Sequence, residues 1–232
     1  MGLPKITQPL YSLTLPSSGK EILYRPFTVR EEKILLIAQE AKDIEQSILS
    51  VKQVVNNCLQ DQDIDTMSMF DLEYILLLIR AKSVNNNVTF AIKDPDTSEE
   101  VKLELNIDDV IVNRNPDHTT QIRVDDDYVI IMRYPTINEY LLLMKDMNNP
   151  QTEFQIMISC MDKLIKGDEV LNFRDFSETE INDFADDLSS PAVKEIKNFF
   201  STMPILRHEV HYTNSAKTEK TFVIEGLKTF FS

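Results

Sequence analysis

Hydrophobic residues recur along the chain with two different spacings, which predict helices in some stretches and strands in others. Over residues 44–59 the apolar positions lie three or four apart with polar residues between them, as in an amphipathic helix. Over residues 88–92 and 101–105 apolar and polar residues alternate, as in strands with one buried face. Turn-forming residues at 94–97 separate these two alternating stretches and predict a hairpin.

The changes of spacing divide the chain into four segments. Residues 1–84 are predicted to form an N-terminal hairpin and a helical layer, and residues 85–134 a β-rich insertion. Residues 135–206 return to helical spacing, and residues 207–232 form a C-terminal hairpin and tail. The predicted fold class is therefore α+β and mainly helical, with an N-terminal hairpin, a central β-rich insertion and a C-terminal β-hairpin. We expect one or two compact domains.

Helix starts are marked by capping residues. An extended segment ends at Tyr24, because a residue that precedes proline is disfavoured in the helical region. Thr28 and Glu31 then form a capping box, which predicts the first helix. Each such cap contributes about 1 kcal/mol. Further helix starts are predicted at Ser68, at Thr136 with Glu139, at Thr152 with Gln155 (before Ile156, Ile158 and Met161), at Ser177 with Glu180, and at Ser190-Pro191.

Composition and charge narrow the class of protein. A hydrophobic content of 42% is typical of a globular chain. The formal net charge of −14 argues against a general nucleic-acid binder, which needs a basic face. No apolar run approaches the roughly 18 residues of a membrane span, so we expect no membrane insertion. Cys58 and Cys160 lie in apolar, helix-like contexts and are expected to be reduced core thiols in a cytoplasmic protein without a signal peptide.

Three short patterns are reminiscent of binding sites, and each departs from what binding requires. Gly19-Lys20 has Thr14 where a phosphate loop needs its first glycine. The run 94–98 begins like a calcium loop, but Glu99 replaces the glycine of the sharp turn. His208 and His211 would point to opposite faces of a strand and could not share a metal ion. We therefore expect neither a metal ion nor a cofactor.

No nucleophile and base combine in a recognisable catalytic motif. Neither cysteine is near a histidine in the sequence, and there is no Gly-x-Ser-x-Gly elbow. With 38 acidic residues, adjacent acids such as Asp186-Asp187 are expected by chance on a solvated surface. We therefore expect a protein that is not an enzyme. The alternative, an unrelated cytoplasmic enzyme with a cryptic acidic site, would require converging acids and a histidine in one pocket.

The string Tyr-Arg-Pro-Phe-Thr-Val-Arg-Glu-Glu-Lys-Ile-Leu-Leu, residues 24–36, resembles the base plate protein family of T-even-type contractile-tailed bacteriophages, whose members are baseplate hub assembly proteins. The similarity covers most of the chain. It includes the Arg-Tyr-Pro-Thr return at 133–136 and the Gly-Leu-Lys-Thr-Phe-Phe close at 226–231. The periodicity alone would also fit an ordinary amphipathic helix behind a proline-capped strand.

The resemblance implies a role in building the hub of the phage baseplate. In one version the protein is a chaperone-like assembly factor, made late in infection, that binds hub subunits in the host cytoplasm and leaves. In the other it is a structural hub component retained in the virion. Relatives carry a cysteine knuckle at the last hairpin tip, where this chain has Asn-Ser-Ala-Lys at 214–217, so no zinc is expected. The resemblance implies hub proteins as partners, with no nucleic acid or membrane, and no pattern indicates an oligomeric state.

Partner contacts are predicted at the tail and at the strand-to-helix switch, by which we mean the residues from Tyr24, where the strand ends, to the first turns of the helix that starts at Thr28. An exposed apolar patch or an unpaired sheet edge would hold the partner, and the acidic surface would steer the protein toward basic patches on it. The alternative is that the aromatic residues are core and the charged residues pair along the helix. Glutamates at positions 25 and 30 are expected to abolish hub association without unfolding the monomer. The predicted partner-binding residues are Arg25, Phe27, Arg30, Lys33, Phe230 and Phe231.

Overall fold

The fold is α+β, with a substantial share of its residues in strands. The computed structural model describes residues 6–40, 43–146 and 149–226. It is 42% helical and 29% strand, with seven helices and twelve strands in four sheets within those described ranges. The prediction of a mainly helical protein is therefore wrong.

The helices and strands of the described ranges are as follows. The helices are α1 (Val29–Glu40), α2 (Ile44–Cys58), α3 (Met69–Ser83), α4 (Ile137–Lys145), α5 (Pro150–Ser159), α6 (Glu178–Asp186) and α7 (Ser190–Ser201). The strands are β1 (Tyr11–Thr14), β2 (Glu21–Tyr24), β3 (Leu59–Gln60), β4 (Asn87–Lys93), β5 (Glu100–Asn106), β6 (Ile111–Asn113), β7 (Gln121–Arg123), β8 (Tyr128–Met132), β9 (Met161–Lys166), β10 (Glu169–Asn172), β11 (Ile205–Thr213) and β12 (Glu219–Glu225).

These elements form two compact units. The first unit contains the described residues up to Asn113 together with those from Ile205 onward, and the second runs from Arg114 to Pro204. Ile205 and Asn113 are paired neighbours in antiparallel strands β11 and β6 of the first unit. The second unit is therefore inserted into the chain between two adjacent strands of the first.

In the first unit, a three-stranded antiparallel sheet of order β1-β2-β3 accompanies helices α1 to α3. Helix α1 packs on α2, and α2 packs on α3. An apolar core of this unit lies where α3 meets the β4–β5 hairpin and the sheet of order β12-β11-β6. Helix α3 thus contributes to two layers, which explains why its stripe of apolar residues is unusually wide. The buried residues of this core are Leu77, Ala81, Leu105, Ile107, Val110, Leu206 and Ile224.

In the second unit, an antiparallel sheet of order β10-β9-β8-β7 packs with helices α5 to α7. All the members of this apolar core lie between Arg114 and Pro204. His118 is held among them by hydrogen bonds to Thr202 Oγ1 (2.9 Å) and Tyr134 Oη (3.0 Å), and it contacts the Phe199 ring. Burial and the nearby Arg114 lower the pKa of His118. Its ring is therefore a neutral hydrogen-bonding part of this core.

Residues 161–172 are one place where a helix was expected and strands are found. The capping pair Thr152 and Gln155 predicted a helix that included Met161, but α5 begins at Pro150 with Asn149 as its cap and ends at Ser159. Residues 161–172 form the β9–β10 hairpin instead. Short apolar runs such as this one have no period that separates a helix from a strand, and long-range pairing with β8 decides the outcome.

The strands expected within the central β-rich insertion are present, and they pair in more than one sheet. Strands β4 and β5 form a two-stranded sheet, β6 pairs with β11, and β7 and β8 belong to the sheet of the second unit. The strands that follow one another in residues 85–134 therefore belong to three different sheets. Alternation identifies a strand but does not identify its partner.

Candidate functional site

The predicted strand-to-helix switch is held by Arg25, which follows β2. Its backbone N–H donates to the Cys58 carbonyl oxygen (2.9 Å). Its guanidinium donates to the carboxylate of Glu31 (3.1 Å), to the Pro26 carbonyl oxygen (2.9 Å) and to the Asn57 carbonyl oxygen at the end of α2 (2.8 Å). Arg25 therefore joins β2, the start of α1 and the end of α2. The hydrogen bond to Glu31 raises the pKa of the guanidinium further.

Glu31 is the buried partner of Arg25 and the capping acceptor of α1. Its carboxylate accepts from the backbone N–H of Thr28 (2.8 Å) and from the Thr28 hydroxyl (2.6 Å). Burial opposes its ionisation, but the hydrogen bonds from Arg25 and Thr28 prevail and lower its pKa to about 2. A carboxylate so fully paired and so acidic holds structure and is not suited to take up a proton at neutral pH.

Phe27 links the same switch to α3. Its backbone N–H donates to Ser83 Oγ (2.8 Å), and that hydroxyl donates to the Ile79 carbonyl oxygen (2.6 Å). Its side chain is half-buried. Phe27 is therefore fixed by the end of α3 while part of its ring remains at the surface.

The second unit contains the same arrangement around Arg133. The Arg133 guanidinium donates to Glu139 (2.7 Å) and to the Ser159 carbonyl oxygen at the end of α5 (2.7 Å), and its backbone N–H donates to the Cys160 carbonyl oxygen (2.8 Å). Thr136 and Glu139 form the predicted capping box, which is confirmed. Burial opposes the ionisation of Glu139, but hydrogen bonds from Arg133, Thr136 and Ser159 lower its pKa to about 2.

Each unit therefore contains one copy of a module, which we define as a hairpin, two helices and a third strand paired with the second. The copies comprise β1-β2-α1-α2-β3 and β7-β8-α4-α5-β9. After each, a 3-10 turn (Ile64–Thr66 or Phe173–Asp175) precedes a serine-capped helix, α3 or α6. The sequence carries a signal that the prediction missed: arginine, threonine and glutamate recur 108 positions apart at 25, 28, 31 and 133, 136, 139.

Beside the first switch lies an open groove of about 950 Å³. Three aliphatic side chains in its wall are largely exposed: Ile6 (87%), Val29 (64%) and Val84 (66%). Phe27, Arg25 and Arg30 also line it. The groove thus combines apolar surface with arginine, which is typical of a surface that contacts another protein.

The outer face of α1 extends this surface. Glu31 and Ala38 are the buried residues of this helix, and they lie on the side that packs on α2. On the opposite side, Leu36 is 56% exposed and Ile37 is 70% exposed. We define the α1 face as the exposed residues Val29, Arg30, Lys33, Leu36 and Ile37.

The structure separates the predicted partner-binding residues into three groups. Arg30 and Lys33 are exposed on the α1 face, and Phe27 is half-exposed in the groove. Arg25 also lines the groove, but its guanidinium is committed to Glu31 and to backbone carbonyls. Phe230 and Phe231 lie outside the described residues.

In the run 94–98, which begins like a calcium loop, Asp94 has a structural role. Asp94 accepts hydrogen bonds from the backbone N–H groups of Asp96 (3.0 Å) and Thr97 (2.8 Å) and from Tyr212 Oη (2.9 Å). It therefore ties the β4–β5 turn to the β11–β12 hairpin. Within the described ranges, no group of three or more His, Cys, Asp or Glu side chains could hold a metal ion.

The last hairpin tip closes on its own polar groups. Asn214 Oδ1 accepts the backbone N–H of Thr218 (2.9 Å), and Lys217 adopts a left-handed backbone conformation (φ 62°). His208 and His211 stand on opposite faces of β11, and His211 Nδ1 is 3.0 Å from Thr221 Oγ1. Hydrogen bonds within the turn therefore hold the tip.

Neither cysteine has the surroundings of a nucleophile. Burial raises the pKa of the Cys58 thiol to about 11 despite the nearby Arg25. Burial also raises the pKa of Cys160, to about 12. Both thiols are buried and are therefore protonated at neutral pH, whereas nucleophilic cysteines need a stabilised thiolate. No helix of the described part of the chain is both long and apolar enough to cross a membrane.

Fold and surface together define an α+β protein with an exposed surface that suits contact with another protein. A family model described as T4 bacteriophage base plate protein matches residues 8–232. The chain therefore belongs to the T4 bacteriophage base plate protein family, and its role is related to the baseplate of a T4-like phage. No curated protein and no solved structure gives a significant match.

Proposed function

We propose that the protein is a non-enzymatic assembly factor for the baseplate hub, which binds hub subunits in the host cytoplasm and is absent from the finished particle. Family membership over residues 8–232 is the observation that supports a baseplate role. The exposed α1 face and the groove beside it supply a surface for a transient protein partner. Other baseplate proteins are the partners that the family suggests.

Within this proposal the predicted contact residues have different tasks. Arg30, Lys33 and the exposed part of Phe27 contact the partner, and Phe230 and Phe231 at the tail remain further candidates. Arg25 positions the switch from behind, because its guanidinium is occupied by Glu31 and by the end of α2. Glutamate at position 25 would place two carboxylates together and break the switch. The variant pair Arg25→Glu with Arg30→Glu is therefore a poor test of binding, and Arg30 with Lys33 is a better one.

A structural subunit retained in the baseplate is the second candidate. The same family membership supports it, because family members have structural or assembly roles. The two candidates differ in where the protein ends up. An assembly factor leaves the particle, whereas a structural subunit stays in fixed proportion to the other hub proteins.

The proposed role is tested by a quantitative protein inventory of purified infectious particles and of the lysate that produced them. We expect the protein to be abundant in the lysate and missing from the particles. The hub proteins found in the same particles serve as an internal standard for recovery. A constant ratio of this protein to those hub proteins in the particles would establish the structural role and contradict the assembly factor.

A further inference from the structure

The two cations of the α1 face, Arg30 and Lys33, do not stabilise the helix that carries them. Arg30 lies in the first turn, where the positive end of the helix dipole disfavours a cation. Lys33 follows three residues later on the same side, so the two like charges are neighbours that repel each other. Both arrangements are unfavourable for the isolated helix. The stability of α1 therefore gives no reason for these two cations.

No carboxylate within the described ranges forms an ion pair with either cation. The chain has 38 acidic and 24 basic residues, so acidic partners are abundant overall. Among the exposed residues of α1, Glu32 and Glu40 carry negative charge, but neither is paired with Arg30 or Lys33. The two cations are thus available to carboxylates from outside the chain.

The second copy of the module provides an internal comparison. The residues that hold the switch together are the same in both copies: Arg25 matches Arg133, and Glu31 matches Glu139. At the positions 108 residues after Arg30 and Lys33, the chain has Asn138 and Leu141. The paired cations are therefore a feature of the first copy and are not required by the module's architecture.

Three aliphatic side chains surround these cations at helical spacing. Val29, Lys33, Leu36 and Ile37 follow the i, i+4, i+7, i+8 pattern of one helix face. Val29, Leu36 and Ile37 are all more than half exposed. An exposed helix face with aliphatic anchors and cations beside them suits docking into a groove of another protein.

We propose that the α1 face docks into an apolar groove of a baseplate hub protein whose rim carries carboxylates facing Arg30 and Lys33. This inference rests on the proposed hub-binding function and specifies the surface and the partner chemistry. A second copy of this chain is a poorer occupant, because each copy carries a net charge of −14 and two copies repel each other.

The test measures binding of the purified full chain to each baseplate hub protein of the same phage, one at a time, at low and high salt. The charge variant is Arg30→Glu with Lys33→Glu, and the apolar variant is Val29→Ser with Ile37→Ser. The matched control is Lys194→Glu with Lys197→Glu, two exposed cations that are also three residues apart on a helix, α7. Circular dichroism checks that each variant is folded.

We expect the charge variant to bind one hub protein about tenfold or more weakly and to lose most of the salt dependence. The apolar variant should weaken binding similarly and keep the salt dependence. The control should bind within about twofold of the unmodified chain. Lysines in place of the partner's rim carboxylates should restore binding by the charge variant.

Four outcomes would contradict the inference. Unchanged affinity of both α1 variants would remove this face from the interface while leaving the hub-binding function intact. An equal loss in the control would attribute the effect to total charge. If the α1 variants bound the hub proteins normally but differed from the unmodified chain in oligomeric mass, the occupant of the face would be a second copy. Failure of the unmodified chain to bind any hub protein would instead overturn the proposed function itself.

Discussion

At the residue scale, the arginine–glutamate pair has the same role in both units. Arg25 with Glu31, and Arg133 with Glu139, each join the end of a strand to the start of one helix and the end of the next. The carboxylate is in each case the helix-capping acceptor as well as the ion-pair partner. The two charged groups of each pair thus satisfy several backbone groups that would otherwise lack partners.

The double use of these carboxylates predicts a matched loss of stability. Glu31→Gln and Glu139→Gln should each lower the free energy of unfolding by about 2 kcal/mol, because each breaks a charge-assisted network at a buried (Glu31) or partly buried (Glu139) position. Urea unfolding at neutral pH measures the loss. Glu32→Gln, one position from Glu31 and exposed, is the control and should change little. Equal midpoints for the Glu31 and Glu32 variants would contradict this role.

The same carboxylates make stability depend on acid pH in a defined direction. The pKa of each is lowered from 4.5 to about 2 in the folded protein. Their contribution is therefore complete above pH 4.5 and is lost as the pH falls toward 2. The double variant with glutamine at both positions should lose less stability over this pH range than the unmodified chain. Urea midpoints on either side of pH 4.5 test this.

At the element scale, the β9–β10 hairpin lies where helical structure was expected, and it raises the strand content of the fold. Its turn contains Gly167, whose backbone is left-handed (φ 56°). A Cβ placed on Gly167 would meet no atom within 4 Å, so side-chain crowding does not explain the glycine. The requirement is conformational, because left-handed backbone is costly for residues with a side chain.

Gly167→Ala should therefore destabilise the protein by about 1 kcal/mol through backbone conformation alone. Thermal unfolding measured by circular dichroism gives the change. Asp168→Ala, at the next position of the same exposed turn, provides the control and should have little effect. If both variants had the same melting temperature, the left-handed conformation at Gly167 would not be what the turn requires.

At the scale of the whole molecule, the second unit is an insertion with a core of its own. Its core residues all lie between Arg114 and Pro204, and the first unit has a separate core. The segment is about 90 residues long, well above the roughly 40 residues below which domains need extra support. The points where it leaves and re-enters the first unit are paired residues, Asn113 and Ile205.

This arrangement predicts that each unit folds without the other. Residues 114–204 expressed alone should unfold cooperatively in urea. The rest of the chain should also fold when a two-residue Asn-Gly turn joins Asn113 to Ile205, because such a turn closes a hairpin between antiparallel strands. A non-cooperative transition or a disordered circular dichroism spectrum for either piece would show that its core does not suffice.

Many of the individual helices and strands could be predicted from the sequence. The hairpins at the two ends, the strands of residues 88–132, and the helix starts at Ser68, Thr136 and Ser177 follow from alternation and capping, and the structure confirms them. The cap of α7 is Ser189, one residue before the predicted Ser190. These features depend on interactions between residues close together in the chain, so a single sequence carries them.

What the sequence alone determined is therefore the set of local elements, the acidic character and the family resemblance. Only the tertiary structure decided that β9 and β10 are strands, that β6 pairs with β11, and that Arg25 is used inside the switch. Strand pairing and burial depend on residues far apart in the chain, and a short apolar run or an arginine after a strand is compatible with several partners. The choice among those partners is made by packing, which no local pattern contains.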